Sequence, residues 1–558
     1  MQKGFMASVL EKMVTDGETK RWHVLRASAV VTLCFWGIAE SGYGLMQVLG
    51  WRSSRHALYA LTGHFQNPGP FGGFIACVMA VAGAWAWAWV RDSSLSLRMT
   101  RVVNGIAWTA LGMGLLVLPA SMSRAGWLGL AVAMGVEWMR FADRSRRMTG
   151  GSRRMTGGNR RMTGGSRRMT REESGMTEGE PTMAHSARTT GLRSGIRWVA
   201  GGALCLALLA GAFLLKPDSA LGRLHVWRME CWAIAERLWT GAGPGMGPWA
   251  YGEAQEAFFR EHLETASPAT VRVAGCPEYA YNEYLGLGVE YGLPALILSV
   301  LLVISAIVVL HRAGSPLAAG LTAWAVFAFA SYPLAVLQLR ILGAVFILGA
   351  IAAGALQLAD RLGGMSEAKF RRGSCLRLAG LLPGVCALLL AGWMGFADRG
   401  RRMTETGRRM TEEGRRMTET GRRMTDQEEV RGVYAEGYAL HQAGRYAEST
   451  KVLEEGARMS CDPMFEIIMG KNAEALGDAG TAATLYEKAH YMVPSRLYPL
   501  VRLMRLQIRQ GRDEQALETA RQIVAMPVNG RNAGMVRLHE QTQKSLDSLA
   551  ARAAVNGK

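Results

Sequence analysis

Cysteine, histidine and acid are all scarce in this chain. It holds eight cysteines and ten histidines in 558 residues. His64, His225 and His262 show no metal-ligand spacing, so no metal site is expected. Asp and Glu number 45 against 64 Lys and Arg, a net charge of +19. Most of that excess lies in two short arginine-rich tracts and in loops between apolar runs. This is the charge pattern of membrane topology, not of a nucleic-acid groove, and no nucleic-acid partner is expected. No cleavable signal peptide is expected. The first 26 residues are polar and basic, and no small-residue cleavage site follows a short apolar core. The first apolar run is therefore expected to be a membrane span.

Hydrophobic residues make up 49% of the chain, yet its mean hydropathy is only +0.07. Long apolar runs alternate with very polar stretches, and the 16 tryptophans suit many water–lipid boundaries. A span needs about 20 mostly apolar residues. Nine runs qualify: 27–49, 69–90, 102–120, 125–141, 198–215, 292–310, 317–336, 340–358 and 377–396. Lys3, Lys12, Lys20, Arg21 and Arg26 put the N-terminal segment in the cytoplasm. Alternation then places the arginine-rich stretches Arg91–Arg101, Arg144–Arg197 and Arg361–Arg377 inside. Loop 216–290 falls outside, and it has six Lys/Arg against ten Asp/Glu. With nine spans the C-terminal region is outside too.

Two tracts repeat every seven residues, "RRMTGGSRRMTGGNRRMTGGSRRMT" (Arg146–Thr170) and "RRMTETGRRMTEEGRRMTETGRRMT" (Arg401–Thr425). Neither has an apolar seam, so both read as low-complexity linkers and not coiled coils. The first has no acid between Arg144 and Arg171, which suits a cytoplasmic, lipid-facing position. A different repeat begins at Gly437, Gly470 and Met504, spaced 33 and 34 residues apart, with Gly444, Gly477 and Gly511 seven residues on. The second unit adds Ala482, Tyr486, Ala489 and Pro494. Small residues at these spacings let two helices pack closely, a pattern that resembles the tetratricopeptide repeat. Three helical hairpins are expected over 430–527 and a capping helix over 531–556. Such arrays present a concave surface to a partner.

Four stretches on the expected exterior side carry the candidate chemistry. "TGHFQNPGPFGGFIA" (Thr62–Ala76) opens the second span and contains Asn67. "SMSRAGWLGL" (Ser121–Leu130) sets Arg124 at a span boundary. "GRLHVWRMECWAIAERLWTGAGPG" (Gly222–Gly245) reads as an amphipathic helix with an apolar face of Leu224, Trp227, Cys231, Ala235 and Leu238, closed by a glycine-rich turn. "VAGCPEYAYNEYLGLGVEYG" (Val273–Gly292) crowds tyrosines and carboxylates before an apolar run. Arg124, Arg223 and Arg228 share one side of the membrane, and guanidinium groups fork onto phosphate oxygens and suit a diphosphate. Each alone also reads as a snorkelling anchor. Glu40, inside the first span, either faces a substrate cavity or reaches water near the span's outer end. The turn "GAGPGMG" reads either as a phosphate cradle or as a plain loop. Of eight cysteines, only Cys231 and Cys276 share the large exterior loop. In an oxidising compartment they form a disulfide, or Cys231 stays a buried thiol on its helix.

In combination, NPGPFGG, SRAGWLGL, R-x-x-x-W with a G-x-G turn, and PEYAYNEYLGLGVEYG before a span resemble the O-antigen ligase and polymerase family. The resemblance covers roughly 27–358. It implies a membrane glycosyltransferase of the GT-C type that takes a glycan from undecaprenyl diphosphate and passes it to an acceptor, with no metal, nucleotide or other cofactor. Under it, Arg124 and Arg223 hold and stabilise the departing diphosphate. Arg228, Tyr281, Asn282, Glu290, Asn67 and Glu40 fall to substrate binding. Many ligases carry histidine where this chain has Tyr281, so the base for the acceptor hydroxyl falls to another group. Glu283 is the nearest carboxylate. The other reading of Asn282, Glu283 and Tyr284 is that they cap and anchor the following helix.

The expected fold is all-α: a polytopic bundle of about nine spans over 27–396, following a cytoplasmic segment 1–26. Within it lie a cytoplasmic loop 142–197 and a periplasmic loop 216–290. A linker 397–429 leads to a tetratricopeptide-like solenoid over 430–558. The expected site is a bacterial inner membrane, with the repeats in the periplasm. The expected partners are membrane lipids, the lipid-linked glycan, a lipid A-core or protein acceptor, and a protein on the repeats. Ligase or protein O-oligosaccharyltransferase, repeat-unit polymerase and non-catalytic scaffold remain three readings.

Overall fold

The computed structural model describes residues 26–56, 58–89, 97–142, 217–363, 381–404, 426–527 and 532–556. The fifth apolar run (198–215) and the tract Arg146–Thr170 lie outside these residues, as does Arg401–Thr425 beyond Thr404. All regular structure among the described residues is helical. The chain divides into two compact units, Met1–Leu215 with Leu302–Val385, and Lys216–Leu301 with Cys386–Lys558.

In the first unit, α1 (Arg26–Val48) precedes α2 (Pro68–Trp89), α3 (Leu97–Val117) and α4 (124–142). The second unit opens with α5 (Pro217–Glu236), α6 (Gly247–His262), α7 (Pro268–Val273) and α8 (Glu283–Tyr291). The helix α9 (Leu293–Arg312) leads back to the first unit, which continues through α10 (Leu317–Ala330) and α11 (Leu337–Gly363). Then follow α12 (Leu382–Thr404) and seven helices of the second unit: α13 (Asp426–Gln442), α14 (Tyr446–Ala457), α15 (Met464–Ala475), α16 (Ala479–Met492), α17 (Leu497–Arg509), α18 (Asp513–Ala525) and α19 (Ala533–Asn556).

Among the described residues, four helices are long and apolar enough to cross a membrane: Arg26–Val48, Pro68–Ala88, Leu293–Arg312 and Leu337–Leu358. Three further apolar helices are shorter, Arg101–Val117, Leu317–Ala330 and Leu382–Gly395. The run 317–336 is broken because the chain leaves the helix at Ser331 and makes a 3-10 turn at Pro333–Ala335. α2 is the central helix of its unit and packs on α3, α10 and α11. Small residues bring these backbones together, as they do where apolar helices gain nothing from hiding from lipid. A Cβ at Gly73 would meet the Phe327 ring at 2.5 Å, and one at Gly129 the Ala323 carbonyl at 2.7 Å.

The second unit is built on a different principle, with a conventional buried core. α5 packs on α6, α7 and α8, and α16 packs on α6. Met229, Ile234, Tyr251, Phe258 and Phe259 share one apolar cluster with Cys461 of the segment between α14 and α15. Helices α13 to α19 each pack on the next. Gly444, Gly477 and Gly511 sit in the tight turns inside three successive pairs at φ of 75°, 85° and 70°, a conformation glycine adopts without strain. Gly470 leaves room for the fully buried Tyr486, whose ring would lie 2.6 Å from an added Cβ.

Two expectations are corrected here. The helix over 217–236 exists, but Leu224, Cys231, Ala235 and Leu238 lie on its exposed side. The buried side carries His225, Val226, Met229, Glu230, Ala233 and Ile234. Apolar residues occupy both sides of this helix, so their spacing does not select a face. The pairing of Cys231 with Cys276 is also replaced. Cys276 is bonded to Cys461, with Cα atoms 5.5 Å apart, and Cys231 is a free, exposed thiol. Cys231 points away from the core that Cys276 and Cys461 share.

Candidate functional site

The candidate residues fall in the two units separately. In the first, Asn67 caps α2: its Oδ1 accepts the Gly69 amide at 2.9 Å, and Pro68 supplies the first helical residue. Gly72 then lies against the segment before Arg124. A Cβ there would meet Ser121 Oγ and Ser123 Cβ at 2.4 Å, and one at Gly126 would meet the Gly72 carbonyl at 2.8 Å. Ser123 Oγ donates to the Gly69 carbonyl at 2.9 Å. NPGPFGG and SRAG thus form one packed corner, with half-buried Arg124 as the first residue of α4. Met122, two residues earlier, is held at φ 50°.

Glu40 is buried in this unit and engaged by His64. The His64 ring nitrogen Nδ1 is 3.1 Å from both carboxylate oxygens, and the His64 amide donates to Oε2 at 3.3 Å. The pair ties the turn before α2 to α1, and Tyr43 stacks on the His64 ring at 4.1 Å.

The second unit assembles the remaining candidates. Arg223 and Trp227 stand four residues apart on α5 and so share a face. Both engage Tyr281. The Arg223 guanidinium lies over the Tyr281 ring at 5.5 Å, and Trp227 Nε1 donates to the Tyr281 carbonyl at 3.3 Å. Tyr281 is itself at φ 53°, a strained value for a bulky residue. Next along the chain, the Asn282 side-chain oxygen accepts the amides of Tyr284 and Leu285 at 3.1 and 3.2 Å and caps α8. Glu283 occupies the first turn of that helix. Arg228 sits over the Phe258 ring at 4.5 Å.

The glycine turn after α5 does not cradle a phosphate with the amides of Ala242 and Gly243. These donate to the carbonyls of Val289 and Glu290, at 2.7 and 3.0 Å. They satisfy acceptors that the end of α8 leaves open. Gly241, at φ 66°, passes so close that a Cβ would lie 2.4 Å from the Glu290 carbonyl carbon. The Glu290 carboxylate lies against Gly247 at the start of α6.

A residue not singled out in the sequence lies on the same helix. Glu230, on the buried side of α5, is 4% exposed, and its Oε2 has no hydrogen-bond partner among the described residues. Burial, reinforced by the negative charge of Glu283, holds its carboxyl well above the usual carboxylate range. Burial also raises the hydroxyls of Tyr251 and Tyr284, with Glu230 acting on the first and Glu283 on the second. The signal for Glu230 was an acid amid Val226, Met229, Ala233 and Ile234. It is visible only once that side of α5 is known to be the inner one.

No protein family, curated protein or solved structure matches the chain.

Proposed function

We propose that the protein is a membrane glycosyltransferase of the O-antigen ligase and polymerase type, with about nine spans and a periplasmic tetratricopeptide solenoid. It moves a glycan from undecaprenyl diphosphate to an acceptor hydroxyl at the outer face of a bacterial inner membrane. One observation carries this reading: the R-x-x-x-W pair of α5 grips the strained Tyr281 immediately before Asn282 and Glu283. Strain held in place by surrounding side chains is a mark of functional segments.

In the proposed reaction the acceptor oxygen attacks the sugar carbon bonded to the diphosphate. The C–O bond to the diphosphate breaks and its electron pair leaves with the phosphate oxygen. Arg223 stabilises that charge, and Glu283 takes the acceptor proton. Attack opposite the leaving group inverts the sugar carbon. The ligase or protein O-oligosaccharyltransferase form is favoured by the shared core and the Cys276–Cys461 bond, which join the repeats to the segment carrying Glu283. Repeats so attached are suited to present a protein acceptor.

The test is to size surface and lipid-linked glycans from a strain lacking the gene. Long chains stranded on the lipid carrier, with none on acceptors, are expected. Single repeat units still attached to acceptors would indicate a polymerase. An unchanged profile would leave a scaffold.

A further inference from the structure

We propose that the second unit holds a carbohydrate-binding pocket between α6 and the helical pairs, lined by Trp249, Glu253, Glu454, Arg458, Glu466 and Lys488. The cavity measures about 310 Å³, with Met469 and Leu485 as its apolar wall. That is within the range of small-ligand pockets, about 300–1,000 Å³. It is distinct from the Arg223–Tyr281 arrangement, none of whose residues line it.

The strongest mark of a ligand is Glu466. It is 4% exposed, it lines the cavity, and its Oε2 has no hydrogen-bond partner among the described residues. A buried carboxylate oxygen left unsatisfied is costly, and a ligand donor removes that cost. Its other oxygen is 3.8 Å from Lys488 Nζ, which in turn holds Glu253 at 2.8 Å.

The charges of the lining select the ligand. An ammonium group on Glu466 would sit beside Lys488 and near Arg458. A carboxylate or phosphate would sit beside Glu466, Glu253 and Glu454. A neutral hydroxyl escapes both penalties, because it donates to a carboxylate and accepts from lysine or arginine. The remaining wall is aromatic and aliphatic. The C–H face of a sugar ring, partially positive, packs on the negative face of an aromatic ring such as Trp249. Hydroxyls on the edges and an apolar face describe a pyranose.

Binding here does not depend on glycan transfer, so loss of one leaves the other measurable. The test uses the labelled full-length chain in detergent on an immobilised array of hexose, deoxyhexose and N-acetylhexosamine oligosaccharides. Retention on at least one glycan class is expected. Glu466→Leu should weaken it about tenfold, and Arg458→Ala, at an exposed position that leaves folding untouched, about threefold. No glycan retained by the wild type would overturn the proposal. So would equal retention by wild type and both variants, or capture of a lysine-rich peptide in place of glycans.

Discussion

At the scale of single residues, the second unit contains two buried groups whose titration opposes each other. Burial pushes the Glu466 carboxyl up to about 7, partly offset by Lys488. Burial pushes the His490 imidazole down to about 4. A carboxyl raised in the folded state binds its proton more tightly there, so its contribution to stability falls as pH rises from the ordinary carboxylate range to about 7. The depressed His490 does the reverse: its contribution is lost as pH falls from the ordinary histidine range toward about 4. These two groups therefore contribute opposed slopes to the wild-type melting curve. Glu466→Gln removes one of them. Its melting temperature should match wild type near pH 4.5 and exceed it increasingly up to pH 7. A constant offset across that window would show that Glu466 is not a raised carboxyl. At the candidate site, Arg223→Ala and Glu283→Gln should each cut transfer by about 10²-fold, the cost of losing a group that meets developing charge. Arg223→Lys should recover little, since an ammonium cannot fork onto phosphate oxygens.

At the scale of elements, much was legible and one face was not. The glycines at 444, 477 and 511 mark helix-to-helix turns, because left-handed backbone is cheap only for glycine and leaves a spacing in the sequence. The cap at Asn282 was equally readable, since asparagine before a helix has a local job, whereas Asn67, expected to bind substrate, also proves to be a cap. The inner face of α5 was not readable, because Leu224 and Cys231 on one side are as apolar as Val226 and Met229 on the other. Glu230 was lost with it. The Cys276–Cys461 bond was missed for another reason: 185 residues separate the two, and nothing local links them. That bond makes a clear expectation. After tryptic digestion, the fragments containing Cys276 and Cys461 should stay joined until reductant is added. Cys461→Ser should release them without reductant, and Cys231→Ser should change nothing. A Cys276 fragment joined instead to the Cys231 fragment, and freed by Cys231→Ser, would mean that Cys231 pairs with Cys276.

At the scale of the whole molecule, the shared core has a topological consequence. Helices α5 to α8 and the pairs α13 to α18 belong to one compact unit, joined through Cys461, the Gln255 side chain on the Met492 carbonyl, and Lys488. Any membrane must then be crossed an even number of times between residues 292 and 426. Two of the four long apolar helices among the described residues, Leu293–Arg312 and Leu337–Leu358, lie in that interval. A membrane-impermeant thiol reagent should label Cys231 and a cysteine placed at exposed Glu455 from the same side of the membrane. Labelling from opposite sides would break the unit apart. The central claim, transfer of a lipid-linked glycan, is tested most directly with the purified full-length chain in proteoliposomes. A radiolabelled undecaprenyl-diphosphate glycan and an acceptor are supplied, and free undecaprenyl diphosphate and glycosylated acceptor are measured together. The account predicts equal release of both by the wild type, and about 10²-fold less by Arg223→Ala and Glu283→Gln. An inert wild type, or full activity in both variants, would contradict it.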